Sequence, residues 1–135
     1  MASSASSLKA SVIAAREIRY DPELRTHHLN HVLNHLTVPT FPFIASCDLL
    51  VKLTFDNRES ETQIEIQVKD DDHRVLFSVL KEVRNVRQSG LPSGCDLSLR
   101  IPFLIERENL LSVEVKRAND TLAQYDLFVR GISNE

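Results

Sequence analysis

"TQIEIQVKDDDHRVLFSVL", residues 62–80, carries the plainest structural message in the chain. Ile64, Ile66 and Val68 alternate with Glu65, Gln67 and Lys69, so one face is apolar and the other polar. That period of two belongs to a half-buried strand, because successive side chains leave an extended backbone on opposite sides. "DDDHR" (70–74) then gathers short polar side chains of the kind that close turns, and "VLFSVL" (75–80) resumes the β-rich pattern. The segment predicts an antiparallel hairpin.

Working outward, the same texture repeats. "DLLVKLTF" (48–55) puts Leu49, Val51, Leu53 and Phe55 on one face. "EVRNVRQ" (82–88) extends the preceding strand, with Val83 inward. "SGLPSG" (89–94) holds two of the three glycines and reads as an exposed loop. "DLSLRIPFLI" (96–105) turns Leu97, Leu99 and Ile101 inward, and Pro102, having no N–H, is expected to end clean pairing there. "LLSVEVKRA" (110–118) and "TLAQYDLFVR" (121–130) flank Asn119-Asp120, a hairpin signal. Toward the N-terminus, "KASVIAAREIRY" (9–20) has only about two helical turns before Asp21-Pro22, and a strand is the better reading. "VPTFPF" (38–43) is an extended crossing anchored by Phe41 and Phe43, in which either X-Pro bond is open to the cis form.

About eight strands at regular spacing, with no convincing helix, predict an all-β fold: an antiparallel immunoglobulin-like β-sandwich of 7–8 strands. Trp is absent and no Cys…Trp…Cys pattern occurs, so the antibody type is excluded. A chain of 135 residues suits one domain, here 8–131, with "MASSASS" (1–7) as a disordered leader and 132–135 as a tail.

The net charge of −3, from 16 basic and 19 acidic residues, offers no basic face for a polyphosphate, so nucleic acid is not an expected partner. No apolar run approaches the roughly 18 residues needed to span a membrane, and no secretory signal is evident. Cys47 and Cys95 stand far apart and form no C-x-x-C pair; they read as two reduced thiols in a cytoplasmic protein.

The segments "ASVIAAREIRYDPE" (10–23), "LNHVLNHLTVPTFPF" (29–43), "LLVKLTF" (49–55) and "LLSVEVKRANDTLAQYDLFV" (110–129) together resemble a family of small bacterial single-domain proteins of uncharacterised function. The resemblance covers most of the chain, and "NHLTVPTFPF" is its most specific part. It implies a compact β-sandwich and carries over no site residues. Family members usually have a glycine in the middle of the second strand, where this chain has "NHV" (30–32).

Two stretches invite a chemical reading. "THHLNHVLNHL" (26–36) holds four of the five histidines, His27, His28, His31 and His35. On a helix, His27, His31 and His35 would form one ridge fit for a metal. On a strand, His27 and His31 stand roughly 13 Å apart, at about 3.3 Å per residue, too far to share an ion. The helix would run straight into "TVP", and no cysteine pair completes a tetrahedral set, so the strand is the preferred reading. A bulge near Asn30 or His31 is expected to change which side chains face the core. Asp70, Asp71 and Asp72 resemble half a calcium site, yet no glycine and no bidentate Glu follow at loop spacing, which favours a solvated turn. Arg84, Arg87 and Arg100 form an anion patch only if their strands are neighbours.

No nucleophile elbow, phosphate loop or dinucleotide fingerprint occurs. The resulting expectation is a non-catalytic module without a cofactor, binding a protein partner or itself. A homodimer through the regular edge "TQIEIQV" (62–68) is one form of it. The alternative is a metal-binding protein or metal-dependent enzyme using His27–His35.

Overall fold

The computed structural model describes residues 7–57 and 61–132, and every regular element in it is a strand. In chain order these are β1 (Leu8–Asp21), β2 (Thr26–Val32), β3 (His35–Val38), β4 (Phe43–Phe55) and β5 (Glu61–Lys69), followed by β6 (Val75–Arg84), β7 (Gly94–Ile105), β8 (Asn109–Arg117) and β9 (Asp120–Gly131). The expected leader 1–7 and tail 132–135 fall mostly outside the described residues. Within them, the Ser7 N–H donates to Asp56 Oδ2, and the Ile132 N–H to the Val38 carbonyl.

The strands form two sheets, ordered β2-β1-β4-β7 and β3-β9-β8-β5-β6. All pairs are antiparallel except β3 with β9. The fold is an antiparallel immunoglobulin-like β-sandwich. Its core is where the inward halves of the alternations meet: Leu49, Val51 and Leu53 from β4, Ile64, Ile66 and Val68 from β5, Leu111, Val113 and Val115 from β8, all buried. Each such side chain contributes about 1.5–3 kcal/mol by leaving water. Phe41 and Phe43 pack against this core as anchors, across a cis Phe41–Pro42 bond.

The hairpin of residues 62–80 is β5–β6, with Ile66 opposite Val79 and Val68 opposite Phe77. Several finer expectations need correction. The stretch 28–38 is two strands rather than one: β2 pairs with β1, while β3 joins the opposite sheet beside β9. The inward set accordingly changes from odd to even, with Leu29 and Leu33 half-buried before the crossing and Leu36 and Val38 inward after it. His31 sits at φ 58 just before that crossing. Among the described residues this split raises the strand number to nine.

Residues 62–68 are no free edge, because β5 lies between β6 and β8. Pro102 does not end pairing; the ladder runs past Ser46↔Pro102 to Phe43↔Ile105, since β7 is an edge strand that tolerates a missing donor. The β8–β9 turn is Ala118-Asn119, closed by Arg117↔Asp120, and Ala118 takes the positive φ of 53. β6 ends at Arg84, so 85–88 leave the sheet.

β1 has two halves. From Leu8 to Ala15 it pairs with β4, ending at Ala15↔Asp48; from Ala15 to Asp21 it pairs only with β2. Residues 16–32 therefore form a two-stranded arm that has left β4. Its Ile18 lines one hollow with Ser98, Leu99 and Arg100 of β7, so the arm lies across the outer face of its sheet. Leu50 on that outer face is buried although it lies outside the main core.

Cys47 and Cys95 are both buried free thiols on neighbouring strands, facing Ile101 and Leu53. Six positions of register, about 20 Å at 3.3 Å each, separate them, well beyond the reach of a disulfide.

Candidate binding groove

The arm is anchored by a buried carboxylate. Asp48 Oδ1 accepts from Arg100 Nε at 2.8 Å, and its Oδ2 accepts from the Ile18 N–H at 2.8 Å. Burial pushes this carboxyl up, but the Arg100 guanidinium and the Ile18 N–H outweigh it and hold the group below the ordinary Asp value. The Asp48 carboxylate therefore joins three segments: its ion pair links β4 to β7, and the Ile18 N–H links the arm to β4.

Opposite the arm tip stands the connection between β6 and β7. Asn85 Oδ1 accepts from the N–H groups of Arg87 (3.1 Å) and Gly94 (2.9 Å), fixing both ends of the loop with one side chain. Gly94 is a close approach: a Cβ there would lie 2.1 Å from the Leu53 carbonyl oxygen. Arg87 reaches Asp96 at 2.9 Å, and Asp96 also receives Lys52 at 3.2 Å.

Between arm tip and loop lies a groove of about 800 Å³, whose walls include Tyr20, Arg25 and His27 on one side and Val86, Gln88 and Leu91 on the other. Tyr20 and His27 are cross-strand partners with ring centroids 5.0 Å apart. Tyr20, Val86 and Leu91 are each more than half exposed (52%, 67% and 54%), and Leu24 in the adjoining turn is 68% exposed. These apolar side chains are gathered around the arm tip and the facing loop. Arg25 lies across the groove from Gln88, whose Oε1 accepts from both guanidinium Nη atoms in the amide orientation that satisfies both sides. The turn carrying it is set by Asp21 Oδ1, which accepts from the N–H groups of Glu23 and Leu24, and Arg25 itself takes φ 55.

The histidines do not converge. His27 faces the groove, His28 stands opposite Arg19, and His35 belongs to the other sheet beside Phe128. His31 and His35 border one shallow depression, with the cationic Arg16 beside them. Among the described residues, three metal-capable groups come within 4.8 Å of one another only at Asp70, Asp71 and Asp72. Those carboxylates are engaged by cations and by the turn. Asp70 is buried rather than solvated, accepting from the N–H groups of Asp72 and Arg74 and from Arg74 Nε at 2.9 Å. Asp71 and Asp72 both hold Arg107, which keeps the Asp71 carboxyl below its usual range. His73, at φ 64, takes the left-handed place a glycine would fill. The three arginines do not form one patch: Arg87 is held by Asp96, Arg100 by Asp48, and Arg84 stands on β6 opposite Glu61.

Sequence reasoning missed the groove. Its one signal was apolar Val86 and Leu91 placed inside a polar, Gly/Pro-bearing loop.

No family model and no curated protein matches the sequence. Solved structures do resemble the fold. A β-glucosidase from Listeria innocua, in complex with gluconolactone, superposes over 97% of this chain at TM-score 0.51 and 11% identity. The chain spans only 17% of that enzyme's length. A CARDB domain from Pyrococcus furiosus, in complex with di-metal ions, covers 95% of this chain and 96% of its own at TM-score 0.47 and 10% identity. At such identities the likeness is one of fold.

Proposed function

We propose that this β-sandwich is a non-catalytic binding module that docks a protein segment in the groove between the arm and the 85–93 connection. The observation that carries the reading is the convergence of Tyr20, Val86 and Leu91, each more than half exposed, on one cleft of about 800 Å³. Tyr and Arg are enriched among the side chains that dominate protein interfaces, and Val86 and Leu91 beside them add apolar area to bury. The groove's own ions support binding over catalysis, because Arg87 and Asp96 neutralise each other and leave no carboxylate poised as a base.

The test is a photo-crosslinking residue placed at Leu91 and, separately, at Leu110 on the outer face of the other sheet. In cells, a discrete protein adduct is expected from Leu91, and Tyr20→Ala should abolish it. Equal adducts from both positions, or an adduct that survives Tyr20→Ala, would overturn the reading.

The same proposal places the module in the cytoplasm, supported by two free thiols too far apart to pair with each other. Burial, with Asp48 beside it, pushes the Cys47 thiol up to about 12. Both thiols of protein isolated from its host should resist alkylation while folded and react on unfolding without reductant; a need for reductant would place the protein in an oxidising compartment.

A further inference from the structure

Resting on the groove reading above, we infer that the docked segment carries a carboxylate beside an apolar side chain, with the carboxylate seated on Arg25. Charge is the first reason. The chain carries a net −3, but the groove runs the other way. Asp96, the carboxylate that lines it, is held by Arg87 and Lys52, and Arg25 adds a cation to its wall. Asp21 and Glu23 stand in the adjacent turn, but Asp21 spends its Oδ1 on the turn N–H groups, and neither lines the cleft.

Pairing is the second reason. Arg100, Arg87, Arg74, Arg107 and Arg19 each hold a carboxylate. Among the described residues Arg25, like Arg16, Arg84 and Arg130, has none, and of these four it is the one that lines the groove, where its guanidinium meets the neutral amide of Gln88. A guanidinium presents a planar fork of donors that a carboxylate satisfies bidentately, and an amide oxygen satisfies only in part. The third reason is backbone placement. Arg25 holds φ 55, a region costly for a non-glycine residue, at the end of a turn locked by Asp21. The fork is thus presented from a fixed base, with Tyr20 and Leu91 alongside to take an apolar side chain. An anion without an apolar neighbour would leave that surface unused, which favours a peptide over a free phosphate.

Phage display of random 12-residue peptides against the intact protein tests this. The best binders are then synthesised with each Asp or Glu as it stands and as Asn or Gln, and titrated calorimetrically into the wild type and variants. Expected are sequences with Asp or Glu next to Leu, Ile, Phe or Val. Neutralising that carboxylate should weaken binding about ten-fold or more, as should Arg25→Gln, with no further loss when both are combined. Gln88→Glu, which gives Arg25 an internal carboxylate, should weaken binding similarly without unfolding the protein. Peptides that need Leu91 and Tyr20 but bind Arg25→Gln as tightly as wild type would overturn the carboxylate inference and leave the groove standing. Peptides indifferent to Leu91→Ser and Tyr20→Ala, or no enrichment at all, would overturn the groove itself.

Discussion

The Tyr125 hydroxyl on β9 donates to the carbonyl oxygen of Leu33, 92 residues earlier in the chain. The N–H of that same Leu33 donates to Ala14 of β1 at 2.8 Å, and the next carbonyl, of Asn34, accepts from Phe128 at 3.3 Å. One residue is therefore held by both sheets, at the place where the chain passes from one to the other. Tyr125→Phe removes the donor and keeps the ring. Loss of this bond should lower stability by about 1–3 kcal/mol in urea unfolding, with faster amide exchange at Leu33 and Phe128. A variant as stable as the parent, with unchanged exchange, would show that the crossing does not depend on this hydroxyl.

That crossing also explains what was legible in the sequence and what was not. Ile64, Ile66 and Val68 announce their strand because the period of two is written into adjacent residues. The split of 28–38 is decided instead by Ala14 and Tyr125, which no local pattern connects to Leu33. The exclusion of 62–68 from the sheet edge likewise depends on β8 arriving from far along the chain. The groove is harder still, since Tyr20 and Leu91 meet only after the arm has left β4 at Ala15. Composition and alternation could show which segments run as half-buried strands, but not where the chain changes sheet or which outer surfaces the strands bring together.

His31 adopts φ 58 one residue before the end of β2, where an L side chain is strained and a glycine is not. It is exposed, so little packing is lost on truncation. His31→Gly should leave stability unchanged or raise it by up to about 1 kcal/mol, whereas His28→Gly, in ordinary strand geometry, should lower it by about 0.5–1 kcal/mol. Thermal unfolding of the two single variants decides the matter; equal losses at both positions would refute the strain at His31.

Among the described residues the two sheets end on four strands, and each of these edges is blunted. β2 carries the irregular His31, β3 has four residues and is followed by Pro39, and β7 contains Pro102. On β6, Lys81 pairs with buried Ile64 and so shares the core-side face, a charge that opposes pairing with another copy. Lys81→Ile should remove that protection and produce concentration-dependent association through β6. Sedimentation of variant and parent at about 100 μM is the measurement, since a micromolar Kd would leave most chains assembled there. A variant that sediments like the parent would show that Lys81 is not what guards this edge.

Asp48 links arm stability to pH. Its carboxyl titrates below the ordinary Asp value in the folded protein, despite burial, because Arg100 and the Ile18 N–H favour the charged form. A folded-state value below the unfolded one, about 3.9, contributes stability above that pH, and the contribution is lost as pH falls through the folded value. Asp70 and Asp71 are shifted in the same direction and add to the trend. The Arg100 side chain is 64% exposed, so solvent screens much of its attraction, and the hydrogen bond to the Ile18 N–H carries more of the link. Asp48→Asn should therefore cost about 1–3 kcal/mol at pH 7, and its loss of stability between pH 5 and pH 2 should be shallower than that of the wild type. Urea midpoints across that range measure both quantities. Parallel pH profiles for the two proteins would mean that the Asp48 carboxylate does not hold the arm to β7, whatever its distance from Arg100.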